Sequence, residues 1–284
     1  MSQSPAAAAN APVVLEWSTI RLEIEDGIAW VILNRPDKRN AMNPTMNHEM
    51  HEVLDAIEAD ERCGVVVVTG AGESFSAGMD LKEYFRETEA KGPVHTRRVR
   101  QENYYWHRRL RWFEKPTIAM VNGWCFGGAF SPLFACDLAV ASETATFGVS
   151  EINWGILPGG NVTKILVDLM SMRDAMYYTM TGETFDGKKA AAYKLVNEAV
   201  PADRLRARVK EIAKVLLEKN PITMKACKDA VKRVKELTVD QSEDYLVVRQ
   251  QSLAHLDKSG GSKEGIRQFI DEKSFKPGLG AYKR

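Results

Sequence analysis

The sequence predicts an α/β fold in which strands and helices alternate, followed by a C-terminal region that is entirely helical. Two apolar runs, residues 65–69 and 117–121, are rich in β-branched residues and each ends in a glycine-rich turn, as buried strands do. Helical patterns separate these strands, and residues 205–271 show helical spacing without a strand signal. Alternating strands and helices favour largely parallel pairing with helices outside the sheet.

The first elements are a hairpin and a helix. Residues 21–25 and 28–33 flank Asp26 and Gly27, a dipeptide that favours a tight β-turn. Residues 43–60 repeat apolar side chains at spacings of three and four, which predicts a helix with Asn43 as its N-cap and Pro44 at its first position.

The middle of the chain contains the less regular elements. A helix is predicted to begin within residues 79–85, with Asp80 in its first turn. Residues 87–101 are highly charged and form either a mobile loop or a surface helix, and residues 104–112 form a helix with one buried face.

The remaining elements continue the same alternation. Further strands are predicted at residues 138–141, 145–149 and 196–200. Further helices are predicted at residues 127–136, 161–170, 173–181, 188–194, 205–219, 222–237, 240–256 and 263–271.

Composition narrows the class of protein. The chain has 284 residues, 44% hydrophobic and 27% charged, with a net charge of +1, which argues against a broad basic face for nucleic acid. No apolar run approaches the roughly 20 residues of a membrane span. The four cysteines form no C-x-x-C pair, so neither a metal site nor a disulfide framework is indicated, and we expect a cytoplasmic protein.

Three regions follow from these patterns. Residues 1–17 are predicted to be a disordered tail, since the first 12 are rich in alanine and serine and lack the basic and apolar parts of a signal peptide. Residues 18–204 form the core, and residues 205–284 form a helical region with apolar stripes too plentiful for an isolated appendage, which favours an oligomer.

The most informative segments are two glycine-rich turns, FSAGMDL at residues 75–81 and NGWCFGGAFS at residues 122–131. Such turns leave backbone N–H groups free to face a ligand. Two of them side by side would form an oxyanion hole, and Glu151 would supply proton transfer next to it.

These motifs resemble those of the enoyl-CoA hydratase/isomerase, or crotonase, superfamily. The residues that carry the resemblance are NRPDKRNAM (34–42), FSAGMDL (75–81), KPTIAMVNGWCFGG (115–128) and FGVSE (147–151). The resemblance implies a crotonase-type spiral of ββα units with a C-terminal helical trimerisation region, in a homotrimer or a dimer of trimers. It also implies a CoA thioester ligand, whose carbonyl would accept hydrogen bonds from the amides of Met79 and Gly128.

Within that superfamily the chain is similar to the hydroxycinnamoyl-CoA hydratase-lyases, also called feruloyl-CoA hydratase/lyase or vanillin synthase. AGMDLKEYF (77–85), NGWCFGG (122–128), SEINWGI (150–156) and the final KPGL (276–279) carry this similarity. It implies hydration of feruloyl-, 4-coumaroyl- or caffeoyl-CoA and retro-aldol cleavage to a hydroxybenzaldehyde, such as vanillin, and acetyl-CoA. It implies no metal or redox cofactor.

The resemblance assigns the acid–base role to Glu151, whose pKa the apolar neighbours Phe147 and Trp154 would raise. Ser131 is a departure, because ordinary hydratases carry a glutamate there. A hydroxyl can only hydrogen-bond near neutral pH, so Ser131 fits a substrate whose phenol ring helps to activate the double bond; otherwise Ser131 is a plain helix-interior serine.

The same resemblance suggests residues that bind the substrate. Tyr84 is the first candidate for the phenol oxygen and Tyr245 the second, although the register counted back from the C-terminus falls nearer Val247. The CoA nucleotide, the pantetheine arm and the acyl group would be contacted by Lys38, Arg39, Ala41, Ala77, Gly78, Asp80, Leu81, Ser150 and Trp154. Lys38 and Arg39 could equally be part of a solvated turn.

Two rival functions remain open at this point. The first is a simple enoyl-CoA hydratase or isomerase, which should carry an acid in place of Ser131. The second is a non-catalytic, RNA-associated protein on the same fold, which the net charge of +1 disfavours.

Overall fold

The computed structural model describes residues 13–274 and Gly278. Its strands are β1 (Val13–Glu16), β2 (Ile20–Glu25), β3 (Ile28–Leu33), β4 (Val65–Gly70), β5 (Ser74–Ser76), β6 (Thr117–Val121), β7 (Trp124–Phe126), β8 (Leu138–Ser142), β9 (Thr146–Gly148), β10 (Thr184–Asp186) and β11 (Glu198–Val200). Its α-helices are α1 (Pro44–Ala59), α2 (Glu87–Ala90), α3 (Pro93–Arg111), α4 (Phe130–Ala135), α5 (Val162–Leu169), α6 (Met172–Thr181), α7 (Gly187–Ala192), α8 (Leu205–Leu217), α9 (Pro221–Val234), α10 (Val239–Leu256) and α11 (Gly261–Ile270).

Two sheets organise these elements. The larger has the order β1-β2-β3-β4-β6-β8-β11, with antiparallel pairing from β1 to β3 and parallel pairing beyond. The smaller has the order β10-β9-β7-β5, in which β5, β7 and β9 are parallel. Successive units therefore place one strand in each sheet, β4 with β5, β6 with β7 and β8 with β9, before the chain enters its next helices. This arrangement confirms the spiral of ββα units.

The core has a layer on each face of the larger sheet. The inner layer lies between the sheets and the helices and contains the fully buried rings of Trp106, Phe75, Phe130 and Phe147. The outer layer contains alternate residues of β3 and β4 and is covered by α8. Burying one such side chain is worth about 1.5–3 kcal/mol, so the two-sided burial explains why these strands are apolar throughout.

The C-terminal helices are anchored to this core by a buried ion cluster. Asp137, just before β8, pairs with Lys228 Nζ at 2.8 Å and Lys232 Nζ at 2.6 Å, both on α9. Helices α9 and α10 pack together as a hairpin, yet neither contains a fully buried residue in the single chain. None of the helices in the described ranges has both the length and the apolar content of a membrane-spanning segment.

Several predictions of individual elements are confirmed, including the hairpin and helix α1. The Asn43 side chain caps α1 by accepting a hydrogen bond from Met46 N at 2.9 Å. Residues 87–101, left open as a loop or a helix, are mostly helical.

Two predictions about elements need correction. Residues 13–16 do not belong to the predicted tail, because they form β1 on the edge of the larger sheet; residues 1–12 lie outside the described residues, as do three of the four residues of the final KPGL. The two glycine-rich segments are also more than turns, since the first begins with the last two residues of β5 and the second contains all of β7.

Candidate active site

The first glycine-rich turn orients the amide of Met79. Strand β5 ends at Ser76, and Gly78 then adopts a φ of +89°, which only glycine tolerates easily. Met42 N donates to Gly78 O at 2.7 Å and Asp80 N donates to Met42 O at 2.9 Å, so Met79 is bridged to Met42 in parallel register. The residue at the centre of such a bridge directs its own N–H away from the bridging strand, so the Met79 amide faces the opposite side.

The second turn brings the amide of Gly128 to the same place. Strand β7 ends at Phe126, and a 3₁₀ turn follows from Gly127 to Ala129. As the second residue of that turn, Gly128 has an N–H that precedes the first intrahelical hydrogen bond. A Cβ placed on Gly78 would lie 3.0 Å from Gly128 N, and one placed on Gly128 would lie 3.3 Å from Met79 N. The two turns are therefore in contact, with both amides at the junction.

Glu151 lies directly against the second turn. It follows β9 and begins a 3₁₀ turn, Glu151–Trp154. A Cβ on Gly127 would come within 2.8 Å of Glu151 Oε1, so a larger residue here would displace this carboxylate from its present position. Its Oε2 is buried without a hydrogen-bond partner among the described residues.

The environment of Glu151 changes its acidity. Burial raises the pKa of the Glu151 carboxyl, and the hydrogen bond from its own backbone amide offsets this only in part. A carboxyl group with a raised pKa is suited to accepting and returning a proton near neutral pH.

These groups line one cavity of about 360 Å³. Eight of the predicted residues contribute to its wall: Arg39, Ala77, Met79, Leu81, Gly128, Ser150, Glu151 and Trp154. Glu151 is the only carboxylate in the wall that the described residues form. A carboxylate and two aligned amides in one apolar cavity can stabilise an enolate and move a proton beside it.

Five further wall residues were not predicted from the sequence: Phe85, Trp124, Phe126, Gly127 and Ile156. Trp124 and Phe126 stack with their ring centroids 5.1 Å apart, and the Arg39 guanidinium lies 4.3 Å from the Trp124 ring. A signal for Trp124 and Phe126 was present in the sequence. A glycine-rich turn needs only small residues, so two aromatic residues inside this motif indicate a further role, such as lining a cavity.

Other predicted residues lie around the cavity rather than in its wall. Gly78 lies in the first glycine-rich turn, directly before Met79, but does not line the cavity. Asp80 caps the π-helix Leu81–Arg86 by accepting hydrogen bonds from the amides of Lys82 and Glu83. Lys38 is exposed in a 3₁₀ turn, and its carbonyl accepts from Ala41 N at 3.0 Å.

Ser131 lies three residues beyond Gly128, and its side chain does not line the cavity that contains Glu151. It is buried on α4, and its hydroxyl donates to Gly160 O at 2.8 Å. Ser131 lines a neighbouring cavity of about 530 Å³ together with Trp112, Phe134 and His107. The structure thus joins Ser131 to the loop that follows Glu151, and not to the wall that Glu151 itself lines.

The two predicted tyrosines lie apart from the cavity wall and from each other. Tyr84 is buried against Phe85 and helix α3, and burial raises the pKa of its phenol to about 12. Tyr245 is half-buried on α10, in the C-terminal hairpin. In the single chain neither ring lines the cavity that contains Glu151.

The sequence as a whole matches a known family. A profile described as "Enoyl-CoA hydratase/isomerase" covers residues 23–277. The chain belongs to the enoyl-CoA hydratase/isomerase family.

Individual members of the enoyl-CoA hydratase/isomerase family differ in their similarity to the chain. It is 56% identical over 94% of its length to a hydroxycinnamoyl-CoA hydratase-lyase of Pseudomonas fluorescens, 98% of which is covered. It is 32% identical over 92% of its length to a short-chain-enoyl-CoA hydratase of Clostridium acetobutylicum, again covering 98% of that protein. The crystal structure of an enoyl-CoA hydratase from Bacillus anthracis superposes with a TM-score of 0.78 at 26% identity, covering 92% of this chain and 96% of the other.

The raised pKa of Glu151 predicts that activity is lost on acidification at a higher pH than for an ordinary glutamate. If Glu151 activates water, its carboxylate must be deprotonated, so a higher pKa moves the loss of activity on acidification to a higher pH. We expect kcat/KM for a CoA thioester to fall below an apparent pKa above the ordinary glutamate range. An acid limb at the pH where an exposed glutamate titrates would contradict this expectation.

Proposed function

We propose that this chain is a hydratase-lyase that converts 4-hydroxycinnamoyl-CoA thioesters to a hydroxybenzaldehyde and acetyl-CoA. The observation that carries this proposal is the single carboxylate, Glu151, beside the paired amides of Met79 and Gly128. The similarity to the hydroxycinnamoyl-CoA hydratase-lyase of Pseudomonas fluorescens supports the choice of substrate.

In the first step the thioester carbonyl accepts hydrogen bonds from the two amides. Glu151 takes a proton from water as the oxygen adds to Cβ, and the electrons of the double bond move into the enolate. Glu151 then returns that proton to Cα, which gives the β-hydroxy thioester. One preorganised amide donor is typically worth about 10²–10³ in rate.

In the second step the carboxylate of Glu151 accepts the proton of the β-hydroxyl group and the Cα–Cβ bond breaks. The aromatic aldehyde leaves, and the electron pair forms the enolate of acetyl-CoA, which is protonated at Cα. Water is the only co-reactant and no net oxidation occurs, so we propose that no metal or redox cofactor is required.

The aromatic substrate explains why one carboxylate is enough. A 4-hydroxyl group can release charge through the ring toward a quinone-methide-like species, which makes Cβ electrophilic without a second acid. Ser131 stands where ordinary hydratases carry that acid, and its hydroxyl is engaged with Gly160 O. Tyr84 and Tyr245 remain our proposed contacts for the phenol, and Lys38, Arg39 and Ala41 for the CoA nucleotide.

The exposed apolar side chains of the C-terminal helices support an oligomer. Val231, Val247 and Val248 are each at least half exposed on the α9–α10 hairpin. Monomeric proteins rarely expose such patches, which favours an oligomer without fixing its number. From the family resemblance we propose a homotrimer or a dimer of trimers. A CoA thioester substrate and four cysteines that form no disulfide would suit a cytoplasmic location, where cysteines stay reduced.

The test is incubation with feruloyl-CoA without added cofactor, followed by separation of the products. Equal amounts of vanillin and acetyl-CoA are expected. A hydrated thioester without aldehyde, or faster hydration of crotonyl-CoA, would replace the proposal with a simple enoyl-CoA hydratase.

Replacing Ser131 by Ala tests its supporting role. We expect kcat to fall by a few-fold up to about tenfold, because one hydrogen bond of about 0.5–1.5 kcal/mol that holds the loop after Glu151 is lost. Steady-state kinetics of cleavage would check this, with Ser259→Ala, a serine that lines neither this cavity nor the neighbouring one, as a control. A loss as large as that of an acid–base residue would instead show that Ser131 takes part in the chemistry.

A further inference from the structure

Arg35 lies beside the first glycine-rich turn of the proposed active site, although its side chain does not line the cavity. It precedes the 3₁₀ turn Pro36–Lys38, and its guanidinium is largely buried, with 11% of the side chain exposed. Its Nη1 donates to Ala41 O at 2.6 Å and to Asp80 Oδ2 at 3.1 Å, and its Nη2 donates to Glu83 Oε1 at 2.8 Å. One side chain therefore joins the loop before α1 to the segment after Met79.

These contacts flank the bridge that orients the Met79 amide. Ala41 directly precedes Met42, and Asp80 directly follows Met79, the two residues of the bridge. The other oxygen of Asp80 accepts from Lys82 N at 3.0 Å and Glu83 N at 2.9 Å, so the carboxylate is held at both oxygens. Glu83 Oε2 accepts from Asn43 Nδ2 at 2.7 Å, which ties the same network to the N-cap of α1.

Arg35 is the one cation that this network pairs with two carboxylates, Asp80 and Glu83, so its removal would change the net charge of the network from −1 to −2. Burial alone would raise the pKa of Asp80, but hydrogen bonds from Glu83 N and Arg35 outweigh this and lower it. Without Arg35, two neighbouring carboxylates would repel each other beside the oxyanion hole, and Ala41 O would lose its donor. A planar guanidinium supplies several donors in fixed directions, which lysine does not.

We propose that Arg35 is a positioning residue that fixes the Met79 amide in the direction needed to bind the thioester oxygen. The residue acts through Ala41, Asp80 and the Met42–Met79 bridge rather than by touching the substrate. This inference rests on the proposed thioester site. It implies that Arg35 affects catalysis more than binding, since misplacing a group by about 1 Å can cost up to about 10² in rate.

Kinetics of Arg35→Gln and Arg35→Lys test the proposal. We expect kcat for 4-coumaroyl-CoA cleavage to fall about 10–100-fold in Arg35→Gln, with KM within about threefold, and a smaller fall in Arg35→Lys. Arg62→Gln is the matched control, because Arg62 forms an exposed ion pair with Asp60 at 2.6 Å away from the cavity, and its kcat should stay within twofold. If Arg35→Gln fails to fold, the Lys variant decides the outcome by the same split between kcat and KM.

A spectroscopic readout separates positioning from a general structural role. In the Glu151→Gln background, bound 4-coumaroyl-CoA should absorb at longer wavelength than the free thioester, because hydrogen bonds polarise its carbonyl. Adding Arg35→Gln should reduce this shift while binding persists. An unchanged shift, or a Tm loss with kcat intact, would overturn the proposal.

Failure of the substrate assignment would look different. Wild-type protein that leaves 4-coumaroyl-CoA unchanged contradicts the proposed function by itself. The same Arg35 comparison would then be made on hydration of crotonyl-CoA, which needs the same amides.

Discussion

Replacing Glu151 by Gln is expected to lower kcat for hydroxycinnamoyl-CoA cleavage by about 10²–10⁴-fold or more, since general acid–base catalysis is worth that much. The amide has nearly the shape of the carboxylate but cannot accept a proton. In the proposed mechanism Glu151 acts both on the attacking water and at Cα, so hydration and the subsequent cleavage should both be lost. The Kd for the thioester should change little, since the cavity walls and the two amides stay in place.

The measurement is single-turnover kinetics combined with direct binding of the thioester. Glu143→Gln is the matched control, because Glu143 lies eight residues earlier, pairs with Lys188 at 3.0 Å and does not line the cavity. It should keep wild-type kcat. A Glu151→Gln variant with undiminished turnover would remove Glu151 from the mechanism, and a large loss of binding would give it a structural role instead.

The architecture of the larger sheet could be predicted because its strands carry strong local signals. Val65, Val66, Val67 and Val68 are buried on both sides of a parallel sheet, so their sequence is apolar without interruption. The hairpin and α1 were predictable for a similar reason, since Asp26-Gly27 and Asn43-Pro44 mark their boundaries.

The smaller sheet could not be predicted in the same way. Its strands β5, β7, β9 and β10 have three residues each, too few to show a period of two, and only β9 was predicted, within residues 145–149. They are held by long-range pairing, which a single sequence does not reveal. The same holds for β1, whose exposed edge position gives only a weak apolar pattern.

The candidate site was predictable where backbone geometry requires particular residues. Gly78 and Gly127 both have positive φ, and Glu151 follows a recognisable strand. The directions of side chains were harder to predict from the sequence. Ser131 is three residues from Gly128, but the tight turn into α4 directs its hydroxyl to Gly160 O.

The hydrogen bonds from Arg35 to Asp80 and Glu83 join residues that are 45 and 48 positions apart in the chain, so local sequence patterns could not predict them.

Replacing Gly78 by Ala should have the second-largest effect on turnover. Its Cβ would lie 2.5 Å from Phe126 O and 3.0 Å from Gly128 N, so the two turns must move apart. Both obstacles are backbone atoms, which cannot rotate out of the way. The Met79 and Gly128 amides would then no longer converge on one oxygen, and we expect kcat to fall by about 10²–10³-fold.

Gly92→Ala separates this effect from backbone strain. Gly92 has the same φ of +89°, but a Cβ there would meet no atom within 4 Å. Forcing a non-glycine residue into such a conformation costs about 1–3 kcal/mol at either position, so both variants should lose thermal stability. Only Gly78→Ala should lose kcat when activity is normalised to thioester-binding sites. Equal losses in the two variants would mean that strain alone accounts for the result, and that the contact between the two turns does not set the geometry of the oxyanion hole.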